Sequence, residues 1–264
     1  MEYGTTVGRY VDRLADADGD RFGFAELALG EGDLPLDQVE PDRVEERRPD
    51  DVVLTVHLPF RQPLATGVPE FDLAVREYLE RALDAAAACG AEAAVCHATA
   101  RNPTADDQRE VLGEALRDLV EAGRERDVAV HVENVGNLRG GVPLGTLASL
   151  VESTDVPMCF DLGHAVEEAD EDGIESFLER AGDQVGYLHV HDVRARGDSH
   201  IPVGAGEIDF AWLAGLLDDA EFDGRAAIEV FTDDIDLMRD SADRFERAFE
   251  WAATDPENGP AGDH

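Results

Sequence analysis

Lysine is absent: all 22 basic residues of this 264-residue chain are arginine. That excludes Schiff-base chemistry on a lysine amine, the strand lysine of protein kinases and the phosphate-binding lysine of a P-loop. Cysteine is scarce as well. Cys89, Cys96 and Cys159 are too few and too irregularly spaced for a disulfide framework, and two lie in apolar runs where inert, buried thiols are expected. No apolar run approaches the roughly 18 residues of a membrane span, and no signal peptide or lipidation motif is visible, so the expectation is a cytoplasmic protein without membrane residence. A dinucleotide fingerprint is also missing, since Gly4-Thr5-Thr6-Val7-Gly8 is too incomplete to count as one.

What the chain has in excess is acid: 60 Asp and Glu give a formal charge of -38. With 43% hydrophobic residues in ordered patterns, it is not a disordered acidic chain and can bury a full-sized core. The acids are spread over every predicted helix, as in Glu167, Glu168, Asp170, Glu171 and Asp172 or Asp218, Asp219 and Glu221. Their repulsion weakens once the Debye length falls to about 3 Å near 1 M salt, which points to a salt-rich, halophilic cell. A negative field also disfavours nucleic acid as a partner, although screening in high salt blunts that argument.

The pattern of periods is one alternation repeated eight times. Apolar strands are expected at residues 2–7, 22–29, 52–58, 92–98, 128–134, 156–161, 185–191 and 225–231. The clearest helix runs from Phe71 to Cys89, where Val75, Leu79, Ala82, Leu83 and Ala86 recur at three- and four-residue intervals. The next follows the Asn102-Pro103-Thr104 turn and ends at Gly123. Shorter helices are expected near 8–17, 36–47, 143–153, 173–182, 209–220 and 234–252. Eight strand-helix units of this size predict a single-domain (β/α)8 TIM barrel over residues 1–252, with residues 253–264 a mobile acidic tail whose His264 is no site residue.

Polar residues crowd the predicted strand ends. They read Val-His57-Leu-Pro-Phe60, Cys-His97, His131-Val-Glu133, Asp161-Leu-Gly-His164, His189-Val-His191-Asp192, Asp198-Ser-His200 and Ile228-Glu229. In a barrel these ends meet at one mouth, where so many carboxylates would repel unless divalent cations were bound. The minimal metal set is Glu133, Asp161, His189 and Glu229, one residue from each of the last four strands. Glu133 and Glu229 would move a proton to and from the carbon beside a metal-polarised carbonyl, giving isomerisation or epimerisation. His57, His97, His164, Asp198 and His200 enlarge the set and would serve either further metal ions, with phosphodiester hydrolysis as the chemistry, or the orientation of the primary ligands. His191 is a candidate for substrate or for the place of His189, and Arg194 and Arg196 for a substrate phosphate or a solvated loop. His131 lies one layer deeper and reads as structural, while Phe60 and Trp212 read as packing before substrate contact. Gly204-x-Gly206 is a turn signal only.

The segments VHLPF, VCHAT, HVENVG, CFDLGHA, LHVHD, DSHIPVGAGEIDF and AAIEV resemble the xylose-isomerase-like barrel superfamily, which includes sugar and sugar-phosphate isomerases and epimerases and the zinc-dependent abasic-site endonucleases. In the epimerases, the resemblance implies, the positions of Glu133, Asp161, His189 and Glu229 bind one divalent ion, often Mn²⁺, Mg²⁺ or Co²⁺, and the two glutamates are acid and base. In the endonucleases, the positions of His57, His97, Glu133, Asp161, His164, His189, Asp198, His200 and Glu229 hold three Zn²⁺, and all nine side-chain types are present. The flanks depart from the nuclease pattern. A nuclease tyrosine is here Phe60, a Glu-Thr-x-Ala-Gly-Gln-Gly run is here Glu133-Asn-Val-Gly-Asn137, and an Asp-Thr-Cys-His run is here Asp161-Leu-Gly-His164. The expected activity is therefore metal-dependent isomerisation or epimerisation of a sugar or sugar phosphate, with the zinc nuclease, and DNA as its partner, as the alternative.

Overall fold

In the computed structural model, which describes residues 1–136 and 140–254 but not the side chains of Asp198, Ala253 and Thr254, eight parallel strands close into a barrel. They are β1 (Glu2–Gly8), β2 (Phe24–Ala28), β3 (Val53–His57), β4 (Ala93–His97), β5 (Ala129–Glu133), β6 (Met158–Asp161), β7 (Val185–Val190) and, after the hairpin strands β8 (Asp192–Arg194) and β9 (Asp198–Ile201), β10 (Arg225–Ile228). The helices are α1 (Pro41–Arg47), α2 (Pro69–Ala88), α3 (Asp106–Arg124), α4 (Leu144–Thr154), α5 (Leu162–Glu168), α6 (Glu171–Ala181), α7 (Phe210–Asp219) and α8 (Ile235–Thr254). The order around the barrel, β1-β10-β7-β6-β5-β4-β3-β2, follows the chain once the hairpin is set aside. This is the predicted (β/α)8 barrel.

Strand period two divides the core. Outward residues such as Leu54, Val56, Val132, Phe160 and Leu188 meet the apolar stripes of the helices in one continuous cluster. Phe160 stacks on Phe177 of α6 with ring centroids 5.2 Å apart, and each such fully buried side chain contributes about 1.5–3 kcal/mol. The inward residues Phe24, Val95, Cys159, Tyr187 and Ala227 form a second, smaller cluster that plugs the barrel below its mouth. All three cysteines are buried and free, and burial raises each thiol pKa, that of Cys89 to about 11. Burial was expected for two of them and holds for all three.

The structure differs from the expected elements in four places. The helix expected at 8–17 is a 3-10 segment, Val11–Asp16, and that expected at 36–47 is split by Pro41 into a 3-10 turn and α1, because proline suits a first helical turn but not an interior. Helix α5 was not anticipated; Asp161 caps it by accepting the His164 N–H at 2.7 Å. The segment after β7, for which no strand was expected, is the antiparallel hairpin β8–β9. Helix α8 runs to Thr254, and residues 255–264, most of the expected tail, lie outside the described residues. Among those described, no helix is long and apolar enough to cross a membrane.

Candidate metal centre

His189 sits at the middle of the barrel mouth, fully buried on β7. Its Nε2 lies 3.2 and 3.3 Å from the two oxygens of Glu26 on β2. A carboxylate only accepts, so Nε2 carries the proton and donates. The lone pair is therefore on Nδ1, which faces Glu133 Oε1 at 3.4 Å, Glu229 Oε2 at 3.4 Å and Asp161 Oδ2 at 3.9 Å. Among the described residues Nδ1, Asp161 Oδ2 and Glu229 Oε2 make no hydrogen bond, although His164 Nδ1 stands 3.3 Å from Asp161 Oδ2 and His200 Nε2 3.5 Å from Glu229 Oε2. Four electron-rich atoms pointed at one another in a buried space repel unless positive charge lies among them. Donors about 2.1 Å from an ion at the tetrahedral angle stand ~3.4 Å apart, the spacing of Nδ1 from each glutamate, so the residues fit a divalent ion. Protons answer the same demand when no ion is bound. Burial lowers the His189 pKa, but the surrounding acidic groups, Cys159, Glu26, Glu229 and Glu133, outweigh it and hold it well above the ordinary value. Burial would raise the two glutamates, yet His97 and His189 hold Glu133, and His189 and His200 hold Glu229, below the usual carboxylate range.

The second oxygen of Glu133 belongs to a neighbouring cluster. His57 Nδ1 lies 2.8 Å from the Leu58 carbonyl and donates to it, leaving Nε2 facing Glu133 Oε2 at 3.2 Å; His97 Nε2 stands 3.2 Å from the same oxygen. Burial lowers the His57 pKa, but the hydrogen bond and charge of Glu133 raise it to about 9. Burial prevails at His97, whose pKa falls. The trio is thus arranged to share one proton or to hold one cation, and its donor atoms lie within 4.8 Å of one another.

A third cluster, Asp161, His164, His191 and His200, meets the same criterion. Asp161 Oδ1 takes both the helix-capping N–H of His164 and His191 Nε2 at 3.1 Å, which leaves Oδ2 for the centre. His191 stacks on His200 with centroids 4.0 Å apart, and His200 stacks on Phe231 at 4.1 Å. Gly163 makes the arrangement possible, because a Cβ there would overlap the His191 ring. The departure Asp161-Leu-Gly-His164 is therefore coupled to a histidine at 191. His200 holds a left-handed φ of 54°, uncommon for a residue with a side chain. Its N–H donates to His191 Nδ1 at 3.1 Å, and its carbonyl accepts the Phe231 N–H at 2.9 Å.

The structure thus brings together Glu133, Asp161, His189, Glu229, His57, His97, His164, His191 and His200. It does not bring Arg194 to them in the same way: its guanidinium donates to the Ala205 carbonyl. The Asp198 side chain lies outside the described residues. His131 is one layer down against Tyr187, with centroids 5.5 Å apart, and burial lowers its pKa to about 4. Phe60 packs edge-on to His57, and Trp212 packs on α7 with its Nε1 3.4 Å from Glu175.

Three residues have roles that the sequence did not indicate. Glu26 left a signal, a lone acid in the apolar run Phe24-Ala-Glu-Leu-Ala28. Asp192, wholly buried, accepts the amides of Val193, Gly204, Gly206 and Ile208 at 2.7–3.1 Å and so folds the Gly204-x-Gly206 loop beside the hairpin. A Cβ at Gly206 would overlap that carboxylate. Phe231, 76% exposed, lies at the end of an expected strand, and nothing local marks it as a mouth residue.

The xylose isomerase-like TIM barrel family matches residues 12–254. A D-tagatose 3-epimerase-like protein superposes with a TM-score of 0.75 at 20% identity, over 96% of this chain and 99% of that one. An L-ribulose 3-epimerase gives 0.73 at 18% identity over 97% of both chains, and a 3-keto-D-glucoside 4-epimerase from E. coli gives 0.65 at 18% over 97% and 100%. An uncharacterized protein of Methanocaldococcus jannaschii, MJ1311, is 28% identical over 119 residues, 43% of this chain and 41% of that protein. The chain thus matches about two-fifths of that relative's length.

Proposed function

Because the chain belongs to the xylose isomerase-like TIM barrel family, we propose that it is a divalent-metal-dependent isomerase or epimerase of a sugar or sugar phosphate. The observation that carries this reading is the convergence beside Glu133 of three buried atoms, His189 Nδ1, Asp161 Oδ2 and Glu229 Oε2, that make no hydrogen bond among the described residues. Glu133, Asp161, His189 and Glu229 would hold the ion, with Mn²⁺, Mg²⁺, Co²⁺ and Zn²⁺ all suited to the mixed set. When bound, the ion supplies polarisation of a substrate carbonyl, which acidifies the adjacent carbon.

The remaining work falls to the chain. In strand order Glu229, His189, Asp161 and Glu133 form an arc across β10, β7, β6 and β5, with the two glutamates at its ends. One takes the proton from the carbon beside the carbonyl. The other returns a proton to the opposite face or the neighbouring carbon, giving an epimer or an isomer. Glu229, with 15% of its side chain exposed against 1% for Glu133, is the one open to proton exchange with solvent. His164 offers a hydrogen bond to a substrate hydroxyl, His191, with both nitrogens engaged by Asp161 and the His200 N–H, holds those two residues in place, and Phe231 and Phe60 offer apolar faces to the sugar carbons. The proposed setting is the cytoplasm of a salt-adapted cell.

A second reading, a zinc-dependent abasic-site endonuclease, is favoured by one observation: the His57-His97-Glu133 and Asp161-His164-His191-His200 clusters provide donors for ions beyond the first. Metal content measured in high salt, paired with two activity screens, separates the readings. About one ion per chain with solvent deuterium entering a ketose or sugar phosphate supports the isomerase or epimerase. Three zinc ions with incision of abasic-site DNA overturns it.

A further inference from the structure

Glu26 stands outside every donor set considered for the ion, yet it is 98% buried and reaches His189 from the far side of the barrel. We propose that Glu26 is the positioning residue of the centre: it fixes His189 with Nε2 protonated and Nδ1 turned to the donor arc. The inference rests on the reading that Glu133, Asp161, His189 and Glu229 hold a divalent ion.

An imidazole alone has no preference strong enough to decide which nitrogen it presents, and rotation about its side chain could exchange them. Glu26 removes the choice, since both its oxygens lie within 3.3 Å of Nε2 and can only accept. A carboxylate in this role also makes the opposite nitrogen a stronger donor to a metal. Glu26 is itself held. The Tyr187 hydroxyl donates to Oε2 at 2.8 Å, and burial, reinforced by the Glu26 charge, keeps that phenol protonated far above its ordinary pKa. With its proton committed to Glu26, the Tyr187 oxygen receives the Thr55 hydroxyl at 3.0 Å. The chain Thr55, Tyr187, Glu26, His189 is buried throughout, so each member keeps the next in one orientation. Register gives the reason for its length. Glu26 pairs with Thr55 across β2 and β3, whereas His189 lies on β7 beside Ala227 of β10, and only the closed barrel joins them.

The test compares the zinc affinity of the full-length protein and its variants, by chelator competition in high salt, with the ¹⁵N signals of His189 in the zinc-loaded state. Glu26→Leu removes the acceptor and should weaken zinc binding ~10–100-fold and disturb the His189 nitrogen shifts. Glu26→Gln keeps an oxygen acceptor but loses the charge, so a fall at the lower end of that range is expected; Tyr187→Phe should cost less again. A folded Glu26→Leu variant with wild-type zinc affinity overturns the proposal. If that variant does not fold, Glu26→Gln decides, and unchanged affinity with unchanged His189 shifts overturns it. Wild-type protein that binds no zinc, manganese or cobalt fails at the earlier step, overturning the metal reading and this inference together.

Discussion

Carboxylates occupy two regions of this molecule and behave oppositely in them. On the outer helices they face water, either exposed and with no ion pair among the described residues, as Glu171 and Asp172 are, or in pairs with arginine such as Arg126–Asp84 and Arg180–Glu152 at 2.7 and 2.6 Å. Exposed pairs of this kind contribute about 0–1 kcal/mol each, and salt weakens both attraction and repulsion. At the barrel mouth, Glu26, Glu133 and Asp161 are at most 2% exposed and beyond the reach of screening. There the charge is answered by histidines or by an ion. The same residue type is screened by water in one place and compensated by buried partners in the other, and burial makes the difference.

The sharpest way to break that contrast is to neutralise one acid in each region. Glu133→Gln and Glu229→Gln should each reduce proton exchange at the substrate carbon by ~10²–10⁴-fold while circular dichroism still reports a folded barrel; normal deuterium incorporation in either variant would remove the acid-base assignment. Stripping the ion comes next. At a free-ion concentration ~1,000 times Kd the loaded protein should be about 4 kcal/mol more stable than the chelated one, visible as a fall in Tm, and identical melting curves would sink the metal centre.

The third effect is on pH. In the stripped protein the His57 pKa is raised from 6.5 to about 9 by Glu133. Its contribution to stability is therefore fully present below pH 6.5 and lost as pH rises through about 9. Imidazoles bind metal only when unprotonated, so the gap in Tm between loaded and stripped protein should widen over the same interval. A constant gap would contradict the proton-or-cation reading of the mouth. The smallest effects belong to the surface. Glu171→Gln with Asp172→Asn should change stability by no more than ~0.5 kcal/mol and leave activity unaltered. Collectively the surface acids should make the Tm higher in about 2 M than in about 50 mM KCl, and equal values would refute salt adaptation.

Much of the fold was legible because strands and helices announce themselves locally. Leu112, Leu116 and Leu119 mark the buried face of α3 at helical spacing, and all eight barrel strands fall inside or within a residue of their expected ranges. The hairpin β8–β9 was not, since Asp192, which gathers four amides from as far as Ile208, acts through loop backbone and leaves no periodic trace. The primary donor residues were visible as polar strand ends. The His191 to Gly163 fit and the Phe231 stack were not, because each depends on which loops meet across the mouth.

The sequence by itself determined the alternation of eight strands and helices, the excess of acid and the list of residues able to bind a cation, since each follows from side-chain type and spacing along a few turns. Only the tertiary structure decided which nitrogen of His189 is offered, which acids are buried together and that Glu26 belongs with them. Glu26 and His189 are 163 residues apart, and a hydrogen bond across a closed barrel is fixed by strand register and closure, which no local pattern encodes.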